Sequence, residues 1–307
     1  IIIPNGTYTL IKYTGDLIGD TSNLQLDYPP QTGTLTLLVD AGAKEIRLQV
    51  SGVASAANLT WRGDGAGNAW DLTTPNWRNG ANPSVFTSGD NVTFDDSGSN
   101  NVPIDLQIVA TPGSFVVNAT KDYVITSFSG GRIGGGADLV KTNTGKLTIT
   151  TDNDYLGDTI VAGGTLQIGE GFGTGTLGAG SLTNNGTVIF NRGLDLTFSS
   201  DIAGSGSLVQ AGFDTLTLSG NNTQTGNLVV SNGTLRTTSS AAAGAGSIVL
   251  AGGTYQPQAQ VNNPISVVAD STLLSTGEIL IGNVLSGTAG TLSVDSAGNG
   301  FRFAPTT

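Results

Sequence analysis

The chain has 307 residues, of which 46 are glycine and only 11% are charged, and its formal net charge is -11. Typical soluble domains carry about 25% charged residues and long helices tolerate glycine poorly, so the composition predicts an all-β chain. The acidic balance excludes nucleic acid and anionic membrane surfaces as partners, since both require a basic patch, while the lack of Cys and His excludes disulfides, thiol chemistry and histidine triads or metal sites.

Residues 1–52 are predicted to form a small β module. Alternating apolar and polar residues favour strands at residues 7–11, 33–37 and 45–50, with the turn of a hairpin at residues 40–42. The run of three isoleucines at the start is too short to cross a membrane, so we expect no direct membrane insertion. Because the sequence has no Met, we expect a processed chain or an excerpt of a larger protein.

Residues 53–101 are predicted to be a Trp-rich opening or cap segment. All three tryptophans, Trp61, Trp70 and Trp77, lie here together with Phe94. The end of a stack of strands leaves an unpaired edge and an apolar cross-section, which clustered aromatic residues can cover. The alternative is that the Trp faces stack on sugar rings.

The same segment contains weak candidates for a calcium site. Asp64, Asn68 and Asp71 alternate with glycines and could supply oxygen ligands. The loop lacks the closing bidentate Glu of the familiar calcium loop, and Asp-Gly is also a common turn. We therefore predict no cofactor, with calcium at these three residues as the alternative.

Residues 102–307 are predicted to form a solenoid of β-strands. Residues 139–168 return without a gap 69 residues later, at residues 208–237. Stacked coils require strand lengths and turn positions to recur in this way, and a sandwich does not. We expect about three coils of roughly 23 residues in each return, every residue lying above its counterpart. From residue 131 onward this makes roughly seven or eight coils, a rod on the order of 35 Å long.

At these residues the sequence resembles the autotransporter-associated β-strand repeat proteins, which are surface and secreted proteins of Gram-negative bacteria. The motif positions are filled by Leu139, Lys141, Gly145, Leu147, Ile149, Asn153, Tyr155, Gly157, Thr159, Val161, Gly163, Gly164, Thr165 and Leu166. The second copy departs from the motif at Gln210, Asp214 and Gln224. The resemblance implies a right-handed parallel β-helix outside the cell without catalytic residues. Residues 1–52 are similar to the segment that closes such an array, and residues 53–101 to the one that opens it.

The function that we expect is structural: an extracellular or cell-surface stalk, fibre or filament, or an adhesin passenger, and not an enzyme. A closing segment followed by an opening one suggests that copies associate end to end. The candidate residues for this contact are Ile1, Ile2, Ile3, Tyr8, Leu10, Phe301 and Phe303. Glycans and host or neighbouring cell surfaces are the other partners considered.

The alternative function is binding or cleavage of polysaccharide. Cleavage needs paired carboxylates, but Asp95 and Asp96 are adjacent and would point to opposite faces of a strand. Binding predicts aromatic and acidic residues on one outward face in several successive coils. The outward positions of the repeats carry Thr, Ser and Asn instead.

Overall fold

The computed structural model describes residues 3, 5–18, 21, 24, 34–52, 55–275, 277–283, 285–287, 289–296 and 300–303. Within this part the protein is all-β, and its single described helical turn is a 3₁₀ turn at Ala241–Ala243. The chain divides into two compact units, Ile1–Ala57 and Asn58–Thr307. The predicted domain boundaries lie after residues 52 and 101, whereas the structure has a single division, after residue 57.

The first unit is a three-stranded antiparallel sheet. Its strands are β1 (Gly6–Lys12), β2 (Thr34–Asp40) and β3 (Glu45–Ser51), with β3 in the centre. The Asp40 carboxylate accepts the Ala43 N–H at 2.8 Å and closes the turn between β2 and β3. Leu48 and Val50 form its small core, on which Tyr8 packs with partly buried neighbours.

The second unit opens with short strands that belong to the predicted cap. They are β4 (Asn58–Trp61), β5 (Ala69–Trp70), β6 (Trp77–Asn79) and β7 (Asn82–Ser84). The β6 strand pairs antiparallel with β4 and with β7, and β4 also pairs parallel with the first strand of the solenoid. The antiparallel strands therefore occupy the edge of the sheet from which the parallel coils continue.

The remaining strands are short and recur through the rest of the unit. The lower part contains β8 (Asn91–Asp95), β9 (Ile104–Leu106), β10 (Val109–Ala110), β11 (Ser114–Asn118), β12 (Tyr123–Thr126), β13 (Arg132–Ile133), β14 (Leu139–Thr142), β15 (Lys146–Ile149), β16 (Thr159–Val161), β17 (Thr165–Ile168), β18 (Leu182–Asn184) and β19 (Thr187–Phe190). The upper part contains β20 (Leu196–Phe198), β21 (Ile202–Ala203), β22 (Ser207–Gln210), β23 (Thr215–Leu218), β24 (Leu228–Val230), β25 (Thr234–Thr237), β26 (Ile248–Leu250), β27 (Thr254–Pro257), β28 (Ile265–Val267), β29 (Ser271–Ser275), β30 (Ile279–Ile281), β31 (Leu285–Gly287), β32 (Leu292–Ser296) and β33 (Phe301–Phe303).

These strands wind into a parallel β-solenoid of about ten turns. Face 1 contains β4, β8, β11, β14, β16, β18 and β21; face 2 contains β5, β9, β12, β15, β17, β19, β22, β24, β26, β28 and β31; face 3 contains β20, β23, β25, β27, β29 and β32. Eight strands of face 2 lie beyond residue 131, which confirms the predicted seven or eight coils. The fold class expected from the internal repeat, a parallel solenoid, is also confirmed.

The core consists of columns of inward side chains stacked from coil to coil. On face 2 one column, with every member 1% exposed or less, is Tyr123, Leu147, Leu166, Val188, Leu208, Leu228, Ile248 and Ile265. Full burial of one such aliphatic side chain contributes about 1.5–3 kcal/mol. The alternation in the sequence thus creates the core directly, because every second residue of a strand points inward.

The predicted vertical register of the two repeat copies was wrong. Leu208 lies three coils above Leu147 in the face 2 column, whereas its sequence counterpart Leu139 lies on face 1. Paired strands are offset by 17 residues at one step and 24 at another, with 20 the usual value. The 69-residue return therefore covers three coils and one further face. Each repeat copy consists of strands joined by turns that connect two neighbouring faces. The first copy connects faces 1 and 2 and the second connects faces 2 and 3, so the motif does not determine which pair of faces it occupies.

Aspartates at the corners connect successive coils. In each case a carboxylate oxygen accepts a backbone N–H of the next coil at 2.7–2.8 Å: Asp96–Thr120, Asp122–Lys146, Asp138–Asp158, Asp158–Ser181, Asp195–Thr215, Asp201–Asn221 and Asp270–Thr291. Corner amides lie outside the regular ladder and need acceptors. Much of the acidic composition consequently has a structural use.

Candidate functional site

The three tryptophans form one buried aromatic cluster. Trp61, Trp70 and Trp77 are fully buried, with the Trp77 ring centroid 5.0 Å from each of the other two in edge-to-face arrangements. Phe94 lies 5.3 Å from Trp77 and 5.5 Å from Trp61. The covering role of these residues stays a prediction, and their burial leaves no indole face exposed for a sugar ring.

The indole N–H groups show how the cluster is oriented. Trp61 Nε1 donates to the Ser99 carbonyl at 3.0 Å. The Nε1 groups of Trp70 and Trp77 have no hydrogen-bond partner in the described part of the chain. Trp70 meets Phe86 edge to face, with ring centroids 5.5 Å apart and an interplanar angle of 83°.

The calcium candidates are engaged in closing loops. Asp64 Oδ1 accepts the amides of Ala66, Gly67 and Asn68 at 2.8–3.0 Å. Asn68 Oδ1 in turn accepts the amides of Asp64 and Gly65, and its side-chain amide donates to Val102. These hydrogen bonds, that from Asn68 above all, lower the pKa of the Asp64 carboxyl. The carboxylate thus stabilises a turn of the kind that Asp-Gly sequences adopt.

Asp71 closes the next turn in the same manner. Its Oδ1 accepts the amides of Thr73 and Thr74 at 2.8 and 2.6 Å, and Oδ2 accepts the Thr74 hydroxyl. Among the residues that the structure describes, no group of three acidic side chains is arranged to hold a metal ion. Calcium at Asp64, Asn68 and Asp71 stays a prediction.

One charged side chain lies inside the solenoid. Lys141 is fully buried, and its Nζ donates to the carbonyls of Thr142 at 2.6 Å, Asn143 at 3.1 Å and Gly163 at 3.4 Å. Burial lowers the pKa of Lys141, because the charged form loses hydration. The lysine therefore provides hydrogen bonds to the turn after its own strand and to the corresponding turn of the next coil.

The candidates for end-to-end contact have different environments. Ile3 and Tyr8 pack against the core of the first unit, whereas Leu10 is exposed on β1. Phe301 is half-buried on β33, where it pairs with Ile279. Ile1, Ile2 and the side chain of Phe303 lie outside the described residues.

The last described coil presents inward positions to solvent. Leu285 is 40% exposed and Val294 is 52% exposed, whereas the residues stacked on them in the preceding coil, Ile265 and Leu273, are 1% and 0% exposed. An apolar cross-section and an unpaired strand edge attract further β-structure. This coil therefore exposes apolar side chains at positions that the preceding coil buries.

A cluster that the sequence reasoning missed lies at the corner between faces 2 and 3. Phe172, Leu194 and Phe213, which we call the apolar corner, are 75%, 58% and 72% exposed on three successive coils. Their spacing in the sequence is unequal, and they follow strands instead of lying in them. The available signal was a recurring dipeptide of glycine and a large apolar residue: Gly171-Phe172, Gly193-Leu194 and Gly212-Phe213. The expectation that outward positions carry only Thr, Ser and Asn does not hold at this corner.

The passenger-associated-transport-repeat family model matches residues 139–168 and 208–236, which are the two copies of the internal repeat. The chain carries autotransporter-associated β-repeats. Such repeats indicate a secreted or cell-surface protein of a Gram-negative bacterium. No helix long and apolar enough to span a bilayer occurs in the part of the chain that the structure describes.

A curated relative of these autotransporter repeats is similar over part of the chain. The adhesin BmaC autotransporter of Brucella suis biovar 1 is 33% identical over 129 residues. The match covers 40% of this chain and 4% of that protein, so the chain corresponds to a small fraction of its relative's length. No solved structure matches the chain significantly.

Proposed function

We propose that this chain is a structural, non-enzymatic segment of a surface-displayed passenger that holds a binding surface away from the cell. The observation that carries the proposal is the uninterrupted face 2, in which eleven parallel strands are joined by backbone hydrogen bonds and carry stacked columns of buried side chains. Such a stack needs no cofactor or disulfide, because each coil is stabilised by its neighbours.

We further propose that copies associate end to end into a filament. The supporting observation is the exposure of Leu285 and Val294 in the last described coil. Residues 1–50 of one copy would cover this coil of the next, near Phe301, as a heterologous contact that repeats without closing. The first unit offers edge strands β1 and β2 for such a contact.

Electron microscopy of the purified native protein tests this assembly. The expected result is uniform filaments whose axial repeat equals the length of one chain. A Leu285→Asp/Val294→Asp variant should give separate particles, since a charge in a strand stack is costly. Leu156→Asp is the matched control, because Leu156 is a strongly exposed leucine outside the last coil, and it should leave filaments intact. Separate particles from the unaltered protein would refute end-to-end assembly and leave the stalk role standing.

An adhesin role is the second part of the proposal. The relative of similar sequence is named an adhesin, and the apolar corner offers an exposed binding surface. Attachment of beads coated with the native protein to epithelial cells, compared with albumin-coated beads, measures adhesion. Equal attachment of both bead types would contradict the adhesin role.

Polysaccharide recognition is the alternative function that one specific observation favours. The apolar corner combines large apolar residues, two of them aromatic, with acidic neighbours on three successive coils, which approaches the pattern that polysaccharide binding predicts. Polysaccharide cleavage has no comparable support. The carboxylates at the corners of the solenoid accept hydrogen bonds from backbone N–H groups.

A further inference from the structure

The apolar corner is a contiguous surface. The backbone pairs Gly193 N–H with the Phe172 carbonyl at 2.8 Å and Phe213 N–H with the Arg192 carbonyl at 3.0 Å, so the three coils are joined here. The Phe213 ring reaches to 3.9 Å from where a side chain on Gly171 would begin, and Leu194 reaches to 2.6 Å from the same point on Gly173. Both side chains therefore lie over the glycines of the loop that carries Phe172.

The area of this surface exceeds what scattered apolar residues expose. Two largely exposed phenylalanines and a leucine together present on the order of 400 Å², which is the size of a functional patch on a soluble protein. The three members lie on adjacent coils, and adjacent coils are about 4.8 Å apart along the solenoid axis. A ligand made of a linear chain of similar units could contact all three coils in the same manner.

The loop that carries Phe172 is held in place. The guanidinium of Arg192 donates to the Gly173 carbonyl at 2.6 Å and to the Gly175 carbonyl, and it lies 3.6 Å from the carboxylate of Asp152. The same carboxylate accepts the Gly175 N–H at 2.9 Å. A surface ordered before binding loses little conformational entropy on binding, so the corner is prepared for a ligand.

Carboxylates border the apolar corner. Glu170, Asp195 and Asp214 are exposed and lie within two residues of its members in the sequence. The neighbouring cation, Arg192, is already committed to the loop carbonyls. A negative border disfavours acidic glycans, anionic lipid and a second copy of this acidic chain, because like charges repel. It favours partners that present hydrogen-bond donors, and hydroxyl groups are uncharged donors that a carboxylate accepts.

A small cavity beside the corner supplies the complementary donor. Its lining includes Arg192, Leu194 and Asp214, and its volume is about 10 Å³. The Arg192 Nε–H is buried there without an acceptor among the described residues. A cavity of this size holds one water molecule, which can relay a hydrogen bond from Nε to a ligand hydroxyl.

We propose that the apolar corner binds a neutral oligosaccharide. The C–H faces of two or three sugar rings would lie on Phe172, Leu194 and Phe213, and their hydroxyls would donate to the bordering carboxylates. An apolar platform bordered by polar groups is the usual composition of a small-ligand surface. The inference deepens the proposed adhesin role and rests on it only for its biological purpose.

An array of immobilised neutral, acidic and amino-sugar oligosaccharides tests the binding. The unaltered protein should bind neutral members, and Phe172→Ser/Phe213→Ser should weaken that binding by about tenfold or more, as expected for the loss of two apolar contacts. Phe128→Ser is the matched control, since Phe128 is 87% exposed elsewhere on the solenoid. It should change the affinity by less than about twofold. Circular dichroism of the three proteins establishes that they are equally folded.

Three results would overturn the inference: no neutral oligosaccharide bound, preference for acidic glycans, or equal loss of binding in the Phe128 control. Binding of a basic peptide of alternating Lys and Leu that the double substitution abolishes, without glycan binding, would assign the corner to a protein ligand and also refute it. Cell attachment by the double variant separates the two proposals. Undiminished cell attachment by the double variant would refute a role of the apolar corner in adhesion and leave the adhesin role standing. Array binding by the unaltered protein without cell attachment would refute the adhesin role and leave the apolar corner standing.

Discussion

Lys141 and Gln210 occupy equivalent places in the two repeat copies, and both donate to the turn after their strand although they lie on different faces of the solenoid. Lys141 Nζ donates to Thr142 and Asn143, and Gln210 Nε2 donates to Gly212 at 3.1 Å and Asp214 at 2.9 Å. The inward position after the opening Leu-Val pair therefore requires a long side chain with a donor at its end. A charge is not required.

We expect Lys141→Gln to change the free energy of unfolding by less than about 1 kcal/mol, and Lys141→Met to lower it by about 1–3 kcal/mol. Met keeps the apolar stem but leaves buried carbonyls without a donor, and this costs more than the exchange of one donor for another. Urea unfolding monitored by circular dichroism measures both variants. Equal stability of the Gln and Met variants would contradict the role of the donor.

The same lysine predicts a pH dependence. Burial lowers the pKa of Lys141 in the folded protein, so between the folded pKa and the ordinary lysine value of about 10.4 the unfolded chain binds more protons, and stability rises with pH over that range. The difference in unfolding free energy between the native protein and Lys141→Gln should therefore change in favour of the native protein over this range. Parallel pH profiles of the two proteins would show that the lysine is charged without cost.

The Asp64 loop predicts a dependence at low pH. Its amide donors lower the pKa of the folded carboxyl, so its stabilisation is present above the unfolded value of about 3.9 and is lost as the pH falls through the folded pKa. Asp64→Asn should have a flatter stability profile below pH 4 than the native protein. Thermal unfolding at a series of pH values measures the profile, and an unchanged slope would contradict the prediction.

The aromatic cap predicts a large loss of stability. Trp70→Ala should lower the free energy of unfolding by about 3–5 kcal/mol, because a fully buried ring leaves a cavity. Leu72→Ala is the control two residues away; Leu72 is exposed, and its substitution should change stability by less than about 0.5 kcal/mol. Similar unfolding midpoints for the two variants would mean that the cluster does not stabilise the solenoid.

Close approach of successive coils predicts which glycines are indispensable. A Cβ on Gly246 would overlap the Gly226 carbonyl of the coil below, whereas one on Gly67 has open space around it. Gly246→Ala should cost about 1–3 kcal/mol through displacement of the backbone, and Gly67→Ala should be nearly neutral. Chemical unfolding of both variants checks this, and a neutral Gly246→Ala would show that the coils separate easily.

The sequence contains enough to predict the solenoid but not its rotation. Alternation within strands fixes which residues face inward, so the burial of Leu147 and Leu216 could be predicted. The corner on which each repeat copy lies depends on the accumulated lengths of the turns, which vary by several residues, and Leu208 consequently lies over Leu147. The sequence of one motif copy does not contain these turn lengths, so it cannot predict the face on which the copy lies.

The candidate sites divide along the same line. The burial of Trp61, Trp70 and Trp77 could be predicted from their size, and their covering role stays a prediction. The contacts of Asp64 could not, because a carboxylate that binds calcium and one that accepts turn amides occur in the same residue pattern. The apolar corner was missed because Phe172 and Phe213 lie in turns, where periodicity of two gives no information.

The displacement of the repeat by one face has a geometric consequence for any longer array. Each return of the motif after 69 residues is turned by a third of the circumference, so a third copy at the same spacing would occupy the remaining side. A residue carried at one fixed place in the motif would trace a spiral around the axis and recur above itself only after three returns. Surface side chains at one position of this repeat would thus be distributed over all three faces of the solenoid.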